Sequence, residues 1–128
     1  MNALHQTSTL GKFVLLDQTR YDTSKKLTVL GCTLHSEVVR EQGREVAMFV
    51  TDIHAINDWT VADHSVAHHS DLTWLNDTVA EIEKEEWKRE IIVFSHHRPT
   101  MLEVTNNPAH RKSEVSSAFV ADLSKEIC

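Results

Sequence analysis

Apolar residues gather into short blocks separated by polar or charged stretches, and the period inside each block sets the element it predicts. Residues 13–17 (FVLLD) are an apolar run of strand length, and residues 27–33 (LTVLGCT) are a second, rich in β-branched side chains. Residues 17–26 between them are polar and turn-like, so the two runs are expected as a hairpin or as neighbouring strands. Residues 37–45 are charged and without a clear period, and 46–51 (VAMFVT) suit either a strand or a helical turn. A helical period begins at Ser70, where serine supplies an N-cap and Asp71 suits the positive end of the helix dipole. Leu72, Leu75, Val79 and Ile82 then recur on one face with Trp74 beside them. Glu81, Glu83, Lys84, Glu85 and Glu86 read as the solvated side and end of that helix.

Four consecutive large apolar residues, 91–94 (IIVF), follow the charged stretch and predict a strand buried on both faces. A helix feeding such a strand is the second half of an α/β unit. Residues 113–127 predict another helix, because Val115, Phe119, Leu123 and Ile127 are spaced four apart. Pro99 and Pro108 both fall in the loop between that strand and that helix. The fold class expected from this pattern is α/β, a mixed β-sheet flanked by helices.

The strand at 91–94 runs directly into Ser95-His96-His97-Arg98-Pro99. Ligands in open α/β sheets bind beyond the carboxyl ends of the strands, so polar residues here are the leading site candidates. Two imidazoles and a guanidinium suit a metal ion and a phosphate, and Pro99 would set the direction of the loop. Ser95 lies outside any G-x-S-x-G elbow, which argues against a serine hydrolase. His64 and His68 are four apart, the spacing of paired zinc ligands on a helix, and His69 follows them. They precede the Ser70 cap, and a solvated or packing role is the simpler expectation. Asp52-Ile53-His54 has an Asp-x-His form, read as coincidental because its flanks do not continue as a metal motif.

Composition narrows the classes. A chain of 128 residues, 41% hydrophobic and 25% charged, is one ordinary globular domain at most. Its formal net charge of −6, with basic residues scattered among acids, argues against nucleic acid as a partner. Cys32 and Cys128 form no CxxC, and Cys32 sits in an apolar run as a small core residue, so a reducing, cytoplasmic setting is expected. No stretch approaches 18 consecutive apolar residues, and residues 1–10 lack the form of a secretory leader, so neither a membrane span nor secretion is expected. Nine histidines, several of them clustered, justify a search for a metal or acid–base site.

The string VFSHHRPT resembles the strand-plus-histidine motif of the calcineurin-like metallophosphoesterases, with His97 two residues before the proline. Residues 13–22, 27–34, 57–61, 71–75, 107–113 and 117–125 are similar, in order and spacing, to a fungal-type branch of that superfamily. The resemblance implies a hydrolase of phosphate esters whose two divalent ions, manganese, iron or zinc, activate water and clamp phosphate oxygens. It implies a part of a two-sheet sandwich, with residues 1–128 as a single, incomplete domain: the C-terminal central portion of the whole. On this reading His97 is a metal ligand, His96 a partner that either supports that ligand or faces the substrate, and Arg98 a phosphate contact; His110, by its place in the loop alone, either reaches the phosphate or is an ordinary surface residue.

The family draws its ligands from five blocks, and only the lone histidine is clearly present. No Gly-Asp, Gly-Asn-His or Gly-His-x-His occurs in these residues. Two other expectations therefore stand beside the hydrolase: a non-catalytic fragment of that fold, and a His-rich module holding one zinc through His64, His68 and a partner. Half a sandwich would also expose a sheet edge, which a homodimer would cover.

Overall fold

A computed structural model of the chain describes residues 11–56, 58–100 and 116–126, without the side chains of Asp52, His54 and Ser116. Three strands, β1 (Thr19–Asp22), β2 (Leu27–Cys32) and β3 (Glu90–Ser95), form one mixed sheet in the order β1-β2-β3. β1 and β2 are an antiparallel hairpin, and β2 and β3 pair in parallel from Leu27↔Glu90 to Cys32↔Ser95. Helices α1 (Gly43–Phe49), α2 (Thr51–Ala55) and α3 (Val61–Glu85) lie in the connection between the two parallel strands. The chain is thus mixed α/β.

The hairpin forms one step later in the chain than the apolar pattern predicts. The expected strand at 13–17 is irregular, and the polar residues Thr19–Asp22 make β1 instead. The apolar run serves a different purpose: Leu16 lies directly over Gly31 of β2. A Cβ at position 31 would come within 2.4 Å of the Leu16 Cβ, so only glycine admits this approach. The hairpin closes through Thr23 and Ser24, whose N–H groups reach the Leu27 carbonyl at 3.0 and 3.4 Å. The Ser24 hydroxyl accepts from the N–H groups of Lys26 and Leu27.

Strand register divides the sheet residues between two faces. Leu30, Cys32 and Ile91 join Leu34, Leu75, Val79, Ile82 and Ala121 in the main core under α3, and Leu30, Leu75 and Ile82 are fully buried. Each such side chain contributes about 1.5–3 kcal/mol. A second cluster of Val38, Val46, Val50 and Ala118 seats α1. Residues 46–51 are therefore mostly helix, broken at Val50, whose backbone is extended.

β3 departs from its expected burial. Ile92, Val93 and Phe94 are 44%, 41% and 57% exposed. Among the described residues the strand is hydrogen-bonded on one side only, and α3 packs chiefly beneath β2, so consecutive apolar residues here mark an edge of the described sheet rather than its centre.

Helix α3 begins at Val61, nine residues before Ser70. Thr60 is its N-cap, and Thr60 and Asp63 form a reciprocal capping box. Its buried residues are His64, His68, Asp71, Leu75, Val79 and Ile82, one continuous stripe whose first half is polar. Hydrophobic periodicity detects only the second half. The helix expected at 113–127 is also absent from its described part. Residues Ser116–Phe119 form a 3₁₀ turn, Val120 bridges to Arg98, and Phe119 is exposed. Buried Ser117, Ala118, Val120 and Ala121 follow no four-residue spacing.

Gly31→Ala tests the placement of Leu16. Alanine in a strand ordinarily stabilises relative to glycine, whereas here the clash is expected to cost about 1–3 kcal/mol in urea unfolding. An unchanged or raised stability would contradict the packing of Leu16 on β2. Thr60→Ala is expected to cost about 1 kcal/mol through the lost cap, read in the same melts.

Candidate functional site

Parallel pairing brings the carboxyl ends of β2 and β3 side by side, and each strand leads into a histidine. The Thr33 carbonyl accepts from the N–H groups of both His96 and His97 at 3.2 Å, which ties the second loop to the first. The Ser95 hydroxyl donates to the His97 carbonyl at 3.0 Å and tightens the turn. The alternation of a strand continues through 95–97 and separates the two histidines. His97 is buried on the α3 side, whereas His96 is exposed and lines a shallow cleft of about 280 Å³ with Leu16, Cys32, Thr33, Phe94 and Ser95.

On the α3 side, three imidazoles from three elements meet. The ring centroids of His35, His64 and His97 are 5.2 Å (35–64), 5.6 Å (64–97) and 6.0 Å (35–97) apart. Trp59 stands beside them, 5.8 Å from His35 and 6.4 Å from His64. Its indole N–H is shielded from solvent and has no acceptor among the described residues.

His35 is held more firmly than its position in a loop requires. Leu34, fully buried, has a φ of 53°, a left-handed conformation that costs a leucine about 1–2 kcal/mol. That turn swings His35 onto α3, where two side chains grip it. Asp71 Oδ2 accepts from the His35 backbone N–H at 3.1 Å and from its Nδ1 at 3.0 Å. His68 Nδ1 donates to the His35 carbonyl at 2.5 Å. Asp71 Oδ1 accepts from the Gln18 side chain at 3.0 Å, so both carboxylate oxygens are engaged. Next in the chain, the fully buried Ser36 hydroxyl bonds His64 Nε2 at 3.0 Å. Burial pushes the Asp71 carboxyl up, but hydrogen bonds from Gln18 and His35 outweigh it and hold the group below its usual value. An ionised Asp71 only accepts, so His35 Nδ1 is the donor of that pair.

The structure keeps part of the expected site together. His97 joins the cluster, and His96, exposed, has its ring centroid 5.3 Å from that of His97. Arg98 is half-buried, with its backbone engaged by Phe119 and Ala121 beside Val120. His110 lies outside the described residues. Asp52 and His54 fall in the short helix α2 rather than after a strand, consistent with a coincidental match. His64 and His68 are buried rather than solvated. Sequence reasoning passed over His35, Ser36 and Trp59. Only His35 had a visible signal: it follows the strand at 27–33 much as His97 follows β3.

The described residues alone do not make up a dinuclear metal centre. No group of three or more histidine, cysteine, aspartate or glutamate side chains among them converges as a metal site, and the Asp71 carboxylate is committed to His35 and Gln18. No described helix is long and apolar enough to cross a membrane. No family model, curated protein or solved structure matches the chain.

Asp71→Asn is expected to lower stability at pH 7 by about 1–3 kcal/mol, because a buried acceptor of three hydrogen bonds is replaced by an amide. The Asp71 value is depressed in the folded state, so its contribution is present above about pH 4 and lost as pH falls through the folded value. The gap between wild type and variant should therefore narrow in urea melts below pH 4. A gap of constant size would contradict an ionised, hydrogen-bonded Asp71.

Proposed function

We propose that the chain is part of a phosphate-ester hydrolase of the calcineurin-like metallophosphoesterase type, and that the imidazole cluster at the ends of β2 and β3 is its share of the active site. The observation that supports this most is the burial of His97, the histidine of the strand motif, against His35 and His64 at the carboxyl end of a parallel strand pair. Three imidazoles at a strand end are suited to proton exchange with a reacting phosphoryl group near neutral pH. Manganese, iron or zinc would come with that family, and their remaining ligands would come from outside the described residues. The substrate is a phosphate ester rather than a nucleic acid surface, in keeping with the acidic charge.

The protein supplied with manganese is expected to hydrolyse bis(p-nitrophenyl) phosphate, and His97→Ala is expected to lower kcat by about 100-fold or more. No turnover and no retained metal would sink the hydrolase and leave a non-catalytic fragment of the fold. One tightly held zinc, lost on replacing His64 or His68, would instead mark a His-rich binding module.

A further inference from the structure

We propose that a cavity between the loop after β2, helix α3 and the segment after Ser116 binds a small primary ammonium ion, an aliphatic amine in its charged form. The cavity has a volume of about 240 Å³. Glu37 and Val39 line it from the loop, His68 from α3, and Ser117, Val120 and Asp122 from the later segment. None of His35, His64 and His97 takes part, so this site is separate from the imidazole cluster and stands apart from the hydrolase reading.

Two buried side chains of the lining keep unused hydrogen-bonding capacity. His68 is 5% exposed and Ser117 is 6% exposed. His68 Nδ1 donates to the His35 carbonyl, which leaves Nε2 of the neutral ring as an acceptor. No described group donates to Nε2, and solvent reaches that atom. The Ser117 hydroxyl accepts from the Val39 N–H at 3.2 Å, and the same oxygen has room for a second donor. Buried polar atoms are ordinarily satisfied, so an open acceptor at the wall of a cavity is a place for a donor carried by a ligand.

Charge selects which donor. Glu37 has the His69 ring 3.7 Å away, and Asp122 Oδ1 accepts from the Ser124 N–H at 3.1 Å. Neither carboxylate is paired with a lysine or arginine among the described residues, and neither of those residue types lines the cavity. Two negative charges beside two open acceptors repel an anion and attract a cation, as does the net charge of −6. A bare metal ion is poorly served, because no three of the described histidine, cysteine, aspartate and glutamate side chains converge. An ammonium asks less. It holds acceptors at about 2.8–3.0 Å rather than the roughly 2.0–2.6 Å of metal ligands, and one nitrogen with one carboxylate is enough. Val39 and Val120 supply an apolar wall for its alkyl chain. The volume falls below the roughly 300–1,000 Å³ of pockets for drug-sized molecules, so the ligand is small.

Titration of the full chain with n-butylammonium chloride, followed by proton–nitrogen NMR, tests this. Saturable shifts are expected at residues 37–39, 68 and 117–122, and the His68 Nε2 resonance should move with them. Butan-1-ol has the chain without the charge, and tetramethylammonium has the charge without an N–H. Each is expected to bind about tenfold more weakly, or worse. Glu37→Gln combined with Asp122→Asn, both at exposed positions, should weaken butylammonium about tenfold and leave the urea midpoint unchanged. Shifts that never saturate, equal binding of tetramethylammonium, or full affinity in the double variant would overturn the proposal. Zinc chloride alone shifting the same residues at equimolar concentration would overturn it too, by making the cavity a metal site. No readout here depends on hydrolysis, so this proposal and the hydrolase fail separately.

Discussion

The carbonyl of Thr33 is the point on which the site depends. It accepts from two successive N–H groups, those of His96 and His97, and so fixes where the loop after β3 begins relative to the end of β2. The parallel register leading up to it sets Cys32 opposite Ser95. From there the alternation of an extended backbone carries His97 toward α3 and His96 away from it. A shift of one residue in this pairing would exchange them and empty the cluster of its strand-borne imidazole.

Helix α3 supplies the other half by carrying two kinds of burial on one stripe. Its C-terminal half, through Leu75, Val79 and Ile82, gains stability by leaving water. Its N-terminal half, through His64, His68 and Asp71, does not, and those groups are tolerated only because hydrogen bonds meet them. The apolar half anchors the helix to the sheet, and the polar half uses that rigidity to hold the loop after β2 in a conformation its leucine would not choose. Stability is thereby spent on fixing one imidazole.

How much of this was legible follows from the same physics. β2 and β3 appeared as apolar runs, because core strands concentrate β-branched and aromatic side chains. β1 did not, because a four-residue outer strand of Thr, Arg, Tyr and Asp has no apolar signature, while the apolar residues before it pack across the sheet without joining it. The start of α3 was misplaced at Ser70 because buried histidine and aspartate look like surface to a hydrophobicity pattern. The burial of β3 was overstated because a run of apolar residues does not reveal whether a second layer covers it. At the site, His97 was found through its strand and proline, and His35 was missed because its partner Asp71 is 36 residues away in the chain. Pairings at that separation are set by the fold and leave no local mark.

The most direct test of the cluster is proximity between its rings. Nuclear Overhauser contacts among the imidazole ring protons of His35, His64 and His97 in the folded protein should appear for all three pairs, as centroid separations of 5.2–6.0 Å require. His96 should show a contact to His97 alone among the three. Absence of the contacts between His97 and the other two rings, or contacts from His96 in their place, would contradict the register and the site built upon it.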